Sequence, residues 1–185
     1  MNWKNYINLT KNKPPHENTV KGFDYVKTPN SVLDVAAGGF RDSKWFVGHF
    51  KHIYAMDMVL AIEPPIGVSF RKTEFKDFKS PGHFDMVNAQ YALPFAEDYF
   101  YPVWREIIKS IKPEGVFVGN FFGIKDGWNT PDSKIKFITK PEFDRMFRDF
   151  NIVYFEEVKK EDKTISGFLK FWHLYEVIAV KKPVN

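Results

Sequence analysis

The chain of 185 residues has the length of one domain, and its 44% hydrophobic and 18% aromatic residues suffice for a sizeable core. It has no cysteine, which excludes disulfides, zinc–thiolate sites and cysteine nucleophiles. The net charge of +4 comes from basic residues interleaved with acidic ones, so we expect no nucleic-acid partner. The sequence shows neither a leader nor an apolar run of about 18 residues, and we expect a cytoplasmic protein with no membrane partner.

Apolar periodicity and breaking residues predict the following elements in chain order: helix 14–26, strand 31–36, helix 42–50, strands 52–56, 67–71 and 84–89, helix 97–112, strand 116–122, helix 139–150, and strands 151–158 and 171–181. Thr139 and Glu142 have capping-box spacing at the start of the last helix. The last two strands can form an antiparallel hairpin, and the polar run 159–163 is expected at its solvated tip.

The alternation of strands and helices predicts an α/β fold, with a doubly wound sheet of seven mostly parallel strands and helices on both faces. Two final strands without an intervening helix predict that the last strand is antiparallel. We expect a single domain over 1–185, with a helical segment at 1–30, a ligand-binding half at 31–125, and a helix and hairpin at 126–185. Ligands of such sheets bind beyond the carboxyl ends of the strands, where the strand order reverses.

A buried strand ends in Asp34 and then gives way to small residues, Ala36 to Gly39. Asp57 follows the second strand, 23 positions after Asp34. A small-residue turn followed by an acid about 20 residues later is typical of dinucleotide-binding sites, where backbone approaches the ligand and the acid accepts from ribose hydroxyls. The Gly-x-Gly-x-x-Gly form is absent, and Phe40 stands where dinucleotide sites keep a glycine, which argues against NAD and FAD.

The segment LDVAAGGFRDS, residues 33–43, resembles motif I of the class I S-adenosylmethionine-dependent methyltransferases, Leu-Asp-Leu-Gly-Cys-Gly-x-Gly. Gly38 keeps the second glycine, whereas Ala36 and Phe40 replace the first and third. The RDS continuation resembles the small tellurite-resistance-type branch. AMD at 55–57, FDMV at 84–87 and KPEG at 112–115 extend the resemblance over most of the chain.

The resemblance implies a Rossmann-like fold that binds S-adenosylmethionine. Asp34 would order the turn and hold the cofactor's amino group, Ala36 and Gly38 would lie against its methionine end, and Asp57 would accept the ribose hydroxyls. The structural alternatives are a strand-end cap for Asp34, a turn glycine at Gly38 and a solvated loop acid at Asp57. Phe40 would either block part of the methionine pocket or pack beneath the loop, and the retained acids favour the second.

Two further pairs of candidates follow strands three and four. Glu74 and Asp77 compete for the exocyclic amine of adenine, and either could be a solvated loop acid. Asn88 and Gln90 occupy the family's motif IV position, where a backbone contact to the cofactor is expected and a strand-end turn is the alternative. The prolines of Asn/Asp-Pro-Pro-Tyr are missing at 89–90, which counts against an amide or base-amine acceptor.

No catalytic triad or metal-ligand spacing is recognisable, and the catalytic residue is unknown. His173 is a candidate, although a lone strand histidine is more often structural. Tyr6, Trp128 and the segment 121–123 either line the pocket or belong to the core. The resemblance implies in-line methyl transfer to a small-molecule acceptor. The alternatives are a cofactor-binding or lapsed member of the fold without catalysis, and an RNA methyltransferase.

Overall fold

A computed structural model describes residues 2–183. Its elements in chain order are α1 Trp3–Thr10, α2 Glu17–Phe23, β1 Ser31–Val35, α3 Arg41–Phe46, β2 His52–Asp57, β3 Val68–Lys72, β4 Phe84–Ala89, α4 Phe100–Ser110, β5 Ile111–Gly123, β6 Phe137–Ile138, α5 Lys140–Met146, β7 Phe150–Lys163 and β8 Leu169–Lys181. Two 3₁₀ segments occur at Phe75–Asp77 and Leu93–Tyr99. Within the described part of the chain, no helix has the length and hydrophobicity to span a membrane.

One sheet contains all eight strands of residues 2–183, one more than the seven predicted, in the order β3-β2-β1-β4-β5-β8-β7, and β6 pairs with β5 off this path. Strands β1 to β5 run parallel, whereas β8 is antiparallel to both β5 and β7. The predicted mostly parallel sheet with an antiparallel last strand is therefore confirmed. The strand order reverses between β1 and β4, so the carboxyl ends of these two strands mark the expected ligand crevice.

Helices cover both faces of the sheet. On one face, α4 and α5 bury a core around Val87, Trp104, Phe117 and Phe121. On the other, α3 packs over a cluster that includes Val32, Phe46, Met86 and Val118. The close approach of α2 requires Gly22, because a Cβ there would lie 2.3 Å from a methyl group of Val118.

Several element boundaries differ from the prediction. The helix expected at 97–112 spans only 100–110, because Glu97 has φ 52° and breaks the turn before it, and Ile111 already pairs with Phe84. The run 159–163 is not the hairpin tip but part of β7, which pairs as far as Lys163. Since β7 is an edge strand, its polar side chains remain in solvent.

The capping box at α5 is present: Thr139 Oγ1 accepts from Glu142 N at 3.3 Å, and the Glu142 carboxylate accepts from Thr139 N. The sequence prediction missed α1 and the two-residue β6. The carboxyl end of α1 presses on the loop after β1, where a Cβ on Gly39 would lie 2.9 Å from Lys11 Cα. The N-terminal helix therefore packs against the motif I loop.

Candidate functional site

The loop after β1 has three residues in the left-handed region at alternate positions. Ala36, Gly38 and Phe40 have φ of 55°, 55° and 56°. These are the three positions at which motif I of the resembled family carries glycine. An L-residue in this conformation costs roughly 1–2 kcal/mol, so Ala36 and Phe40 both hold strain that glycine would not.

Phe40 packs beneath the loop and not in the cavity. Its side chain is buried in a small cluster with Ala37 and Ala55, and its ring meets Phe70 edge-on at 5.5 Å. It is absent from the residues that line the cavity described below. The second of the two expectations for Phe40 is thus confirmed, and the cavity side of the loop stays open.

Asp57 joins the ends of β1 and β2. Its Oδ2 accepts from Gly38 N at 2.8 Å and its Oδ1 accepts from Val59 N at 2.8 Å. Burial raises the pKa of Asp57, against the opposing effect of these backbone N–H groups. A carboxylate oxygen accepts about two hydrogen bonds, so each oxygen retains capacity for a ligand hydroxyl.

Asp34 lies at the centre of a buried polar network. Its Oδ1 accepts from Asn88 Nδ2 at 2.9 Å, and its Oδ2 accepts from the Ser43 hydroxyl. Asn88 also donates to Asp42 Oδ2 at 3.1 Å and accepts from Thr19. Burial, together with the charge of Asp42, raises the pKa of Asp34 to about 7. Asp34 therefore connects β1, α3 and β4.

The RDS continuation of motif I builds the adjacent wall of the site. His16 donates to Asp42 from its backbone N at 2.8 Å and from Nδ1 at 2.7 Å. Burial opposes ionisation of Asp42, but the hydrogen bonds donated by His16 and Asn88 outweigh it and keep the pKa of Asp42 below its usual range. Arg41 donates to Pro14 O and, at 3.2 Å, to His16 Nε2. The sequence predicted no site role for His16 or Arg41 and predicted Asp42 as the N-cap of the helix, but α3 begins at Arg41 and Asp42 lies in its first turn.

A cavity of about 1250 Å³ opens at the carboxyl ends of β1, β2 and β4. Six predicted site residues line it: Asp34, Ala36, Gly38, Asp57, Glu74 and Gln90. Ligand pockets commonly measure about 300–1,000 Å³, so this one has room for a nucleoside-sized cofactor beside a small second molecule. A Cβ on Gly38 would meet nothing closer than Ala36 O at 3.9 Å, so bare backbone faces open space there.

Three predicted residues lie outside the lining of the cavity. Asp77 is exposed on the 3₁₀ turn, whereas Glu74 lies at the cavity and pairs with Lys76 at 2.8 Å. Asn88 is completely buried and uses its side chain to hold Asp34. Of the two alternatives after β3, the geometry therefore retains Glu74.

His173, the candidate for catalysis, is engaged in the fold. Its Nδ1 accepts from Lys125 N at 3.1 Å, which leaves the proton on Nε2 to donate to Glu157 at 2.9 Å. The ring packs on Gly123, where a Cβ would lie 2.2 Å away. His173 is 2% exposed and does not line the cavity, so its contacts are those of a structural histidine.

The far end of the cavity is aromatic. Tyr6, Trp128 and Phe122 line it, which is one of the two expectations for these residues, whereas Phe121 belongs to the core. Trp3, Phe95 and Trp172 also line this end and were not predicted. Only their joint position shows their role, because aromatic residues occur throughout the sequence.

No protein-family model and no curated protein sequence matches the chain. Several solved structures, in contrast, superpose on the chain. TehB from Haemophilus influenzae superposes with a TM-score of 0.76 at 12% identity, covering 94% of this chain and 64% of that one, so the chain spans just under two thirds of that protein.

Two other structures match at similar quality. The 1,6-didemethyltoxoflavin-N1-methyltransferase of Burkholderia thailandensis, solved with 1,6-didemethyltoxoflavin and S-adenosylhomocysteine, gives a TM-score of 0.64 at 20% identity over 89% of this chain and 76% of that one. The N-methyltransferase NodS from Bradyrhizobium japonicum WM9, in complex with S-adenosylhomocysteine, gives 0.68 at 12% identity over 98% and 99%. The fold that the sequence resemblance implied is confirmed: the chain has the fold of the class I S-adenosylmethionine-dependent methyltransferases.

Proposed function

We propose that this protein is an S-adenosylmethionine-dependent methyltransferase that acts on a small-molecule acceptor. The observation that carries the proposal is the cavity at the β1/β4 crevice, where Asp57 holds the motif I loop through Gly38 N. The three left-handed positions of that loop match the spacing of the family's glycines although two are not glycine. The loop therefore keeps the left-handed backbone at Ala36 and Phe40, although neither residue is the glycine of the sequence motif.

The residues present fit the cofactor. The carboxylate of Asp57 has free acceptor capacity for two ribose hydroxyls, and Ala36 and Gly38 offer bare backbone to the methionine end. Asp34 would hold the amino group. Glu74 would accept from the adenine amine, and the backbone at Gln90 would border the methyl group. Asp77 has no part in this arrangement, and Asn88 contributes by holding Asp34.

When bound, the cofactor supplies a methyl group on a sulfonium, which becomes a neutral thioether as an acceptor lone pair takes the methyl. The protein then needs no nucleophile of its own, and its contribution is to align the two reactants. Alignment of this kind corresponds to effective molarities of about 10⁵–10⁸ M. The network of Asp34, Asp42 and Asn88 serves alignment because it fixes the wall of the cavity on three elements.

A small acceptor is supported by the aromatic far end of the cavity. Trp3 of α1, Trp128 and Trp172 line that end from three parts of the chain. A compartment lined by aromatic rings suits a compact apolar molecule better than a polymer. Of the similar structures, one is named as the N1-methyltransferase of 1,6-didemethyltoxoflavin and another as the N-methyltransferase NodS.

Calorimetric titration with S-adenosylhomocysteine tests cofactor binding. We expect micromolar affinity, and Asp57→Ala should weaken it about 10- to 150-fold, because a charge-assisted hydrogen bond is worth about 1.5–3 kcal/mol. Asp77→Ala is the matched control, since it removes an aspartate outside the cavity. Equal affinity of the Asp57 variant and the wild type would contradict the assignment.

Turnover distinguishes the alternatives. Binding of S-adenosylhomocysteine without methyl transfer to any member of a broad acceptor panel would favour a cofactor-binding protein without catalysis. RNA binding that weakens steeply between low and moderate salt would favour an RNA methyltransferase, because phosphate contacts release counterions. A salt-independent, weak interaction with RNA is the expected result.

A further inference from the structure

The far end of the cavity carries a continuous set of rings, here called the aromatic wall: Trp3, Phe95, Phe122, Trp128 and Trp172. Neighbouring ring centroids lie 5.0 Å apart for Trp3 and Phe95, 5.7 Å for Phe122 and Trp128, and 5.5 Å for Trp128 and Trp172. All but Phe122 are only half-buried, so apolar area remains open to the cavity. Such area gains free energy when a ligand covers it.

A buried ammonium already engages three of these rings, and it lies 4.8 Å from the centroid of Phe122. Lys170 Nζ lies 3.4 Å from the centroid of Trp172 and 3.8 Å from that of Trp128, and it pairs with Asp126 at 2.7 Å. Lys170 itself does not line the cavity. Because its positive charge already occupies the negative potential of the rings, the wall is a poor receptor for a second cation.

An unused hydrogen-bond donor points to the polar part of the ligand. Tyr91 N donates to Asn120 Oδ1 at 2.9 Å, which fixes the orientation of that amide, and Asn120 Nδ2 then donates to Gln90 Oε1 at 3.2 Å. The amino group of Gln90, whose side chain is buried, is left with no partner among residues 2–183. A buried unpaired donor is costly unless a ligand accepts from it.

The donor and the wall belong to the same compartment. Gln90 and Trp172 both line the cavity, and Tyr91, the residue after Gln90, has its ring 6.4 Å from that of Trp172. A ligand that covers the rings therefore lies beside Gln90, whose side chain also borders a smaller cavity next to Glu17 and Glu176.

We propose that the acceptor is a planar aromatic compound that carries a ring carbonyl or ring nitrogen, stacks on the aromatic wall, and accepts a hydrogen bond from Gln90 Nε2. The flat ring covers the half-buried faces, and its lone pair satisfies the unpaired amide. A quaternary ammonium would compete with the Lys170 ammonium for the same rings, and a saturated ring makes poorer contact with them. This inference rests on the proposed function and specifies the substrate class of the same site.

Calorimetry with defined probes tests this inference, with and without saturating S-adenosylhomocysteine. The planar probes are 4-quinolone and acridone, the cationic probe is choline, and the saturated carbonyl probe is cyclohexanone. We expect the planar probes to bind at least tenfold more tightly than the other two. Trp172→Leu should weaken their binding about 5- to 150-fold, the range for loss of one aromatic stacking partner.

Trp45→Leu is the matched control, because Trp45 is a half-buried tryptophan that stacks on His49 outside the cavity. Gln90→Met, checked for native folding by thermal unfolding, should weaken 4-quinolone binding without creating affinity for choline. Choline binding as tight as that of the planar probes, or planar binding unaffected by Trp172→Leu, would overturn the inference. These outcomes concern only the probes, whereas binding of S-adenosylhomocysteine alone decides the proposed function.

Discussion

The backbone N–H of Gly38 donates to the carboxylate of Asp57 at 2.8 Å and so fixes the loop after β1 to the end of β2. The bond joins the glycine and the second acid that the sequence singled out, 19 residues apart along the chain. Because it uses one lone pair of Oδ2, it positions the carboxylate and leaves acceptor capacity towards the cavity.

The strain at Ala36 predicts a stabilising substitution. Ala36→Gly should raise the free energy of unfolding by about 1 kcal/mol, because φ 55° is free of cost for glycine. For a chain of this size, that corresponds to a rise in Tm of roughly 2–4 °C. Gly38→Ala, at the same φ, is the reverse control and should lower Tm. A destabilised Ala36→Gly variant would contradict the strain argument.

Phe40 combines strain with burial, and two variants separate them. Phe40→Ala should cost about 3–5 kcal/mol, the usual range for removing a buried phenylalanine. Phe40→Gly leaves a cavity larger by one methyl group but relieves the left-handed backbone, so it should be no less stable than Phe40→Ala. Denaturant unfolding of both variants measures the difference; the opposite order would show that the backbone at 40 is unstrained.

The pKa of Asp34, about 7 in the folded chain, predicts a pH dependence of stability. The unfolded chain has an ordinary aspartate pKa of about 4. Between these values the native state holds a proton that the unfolded state lacks, so this contribution is full below about pH 4 and is lost as pH rises through about 7. Thermal unfolding from pH 5 to 8 should therefore show a steeper fall for the wild type than for Asp34→Asn.

Asparagine can keep both contacts of Asp34, accepting from Asn88 and donating to the Ser43 hydroxyl. Asp34→Asn thus isolates the charge. Burial also raises the pKa of Asp57, and Asp57 is present in both proteins. Its contribution to the pH dependence is therefore common to the wild type and the variant. Parallel pH profiles of the two proteins would mean that Asp34 ionises at its ordinary pKa.

His173 should matter for stability and not for the cofactor. His173→Gln removes a buried ring that bridges Lys125 N and Glu157, and we expect a loss of about 1–2 kcal/mol in unfolding free energy. Its affinity for S-adenosylhomocysteine should remain within twofold of the wild type in calorimetry. A large loss of affinity in a variant of near-native Tm would restore His173 as a site residue.

The sheet could be predicted from the sequence because its evidence is local: strand and helix periodicities alternate, and their order dictates a parallel sheet. The two residues of β6 have no such pattern and depend on pairing with β5 at Phe122 and Gly123. The helix at 100–110 was predicted over 97–112, because no sequence pattern indicates the positive φ of Glu97.

The candidate site was predictable only in part. Motif spacing identified Asp34 and Asp57, but the contact of His16 with Asp42 joins positions 26 apart, which no local pattern reveals. The choice between Glu74 and Asp77 depends on how a single 3₁₀ turn presents its side chains. The aromatic wall collects rings from four separate segments, so only the assembled fold brings them together.

A crystal structure with S-adenosylhomocysteine tests the central claim most directly. The account predicts the nucleoside in the crevice between β1 and β4, with both ribose hydroxyls within hydrogen-bond distance of Asp57 and the homocysteine end against Ala36 and Gly38. A ligand bound elsewhere, or a crevice that stays empty at saturating concentration while the Asp57–Gly38 bond is intact, would contradict it.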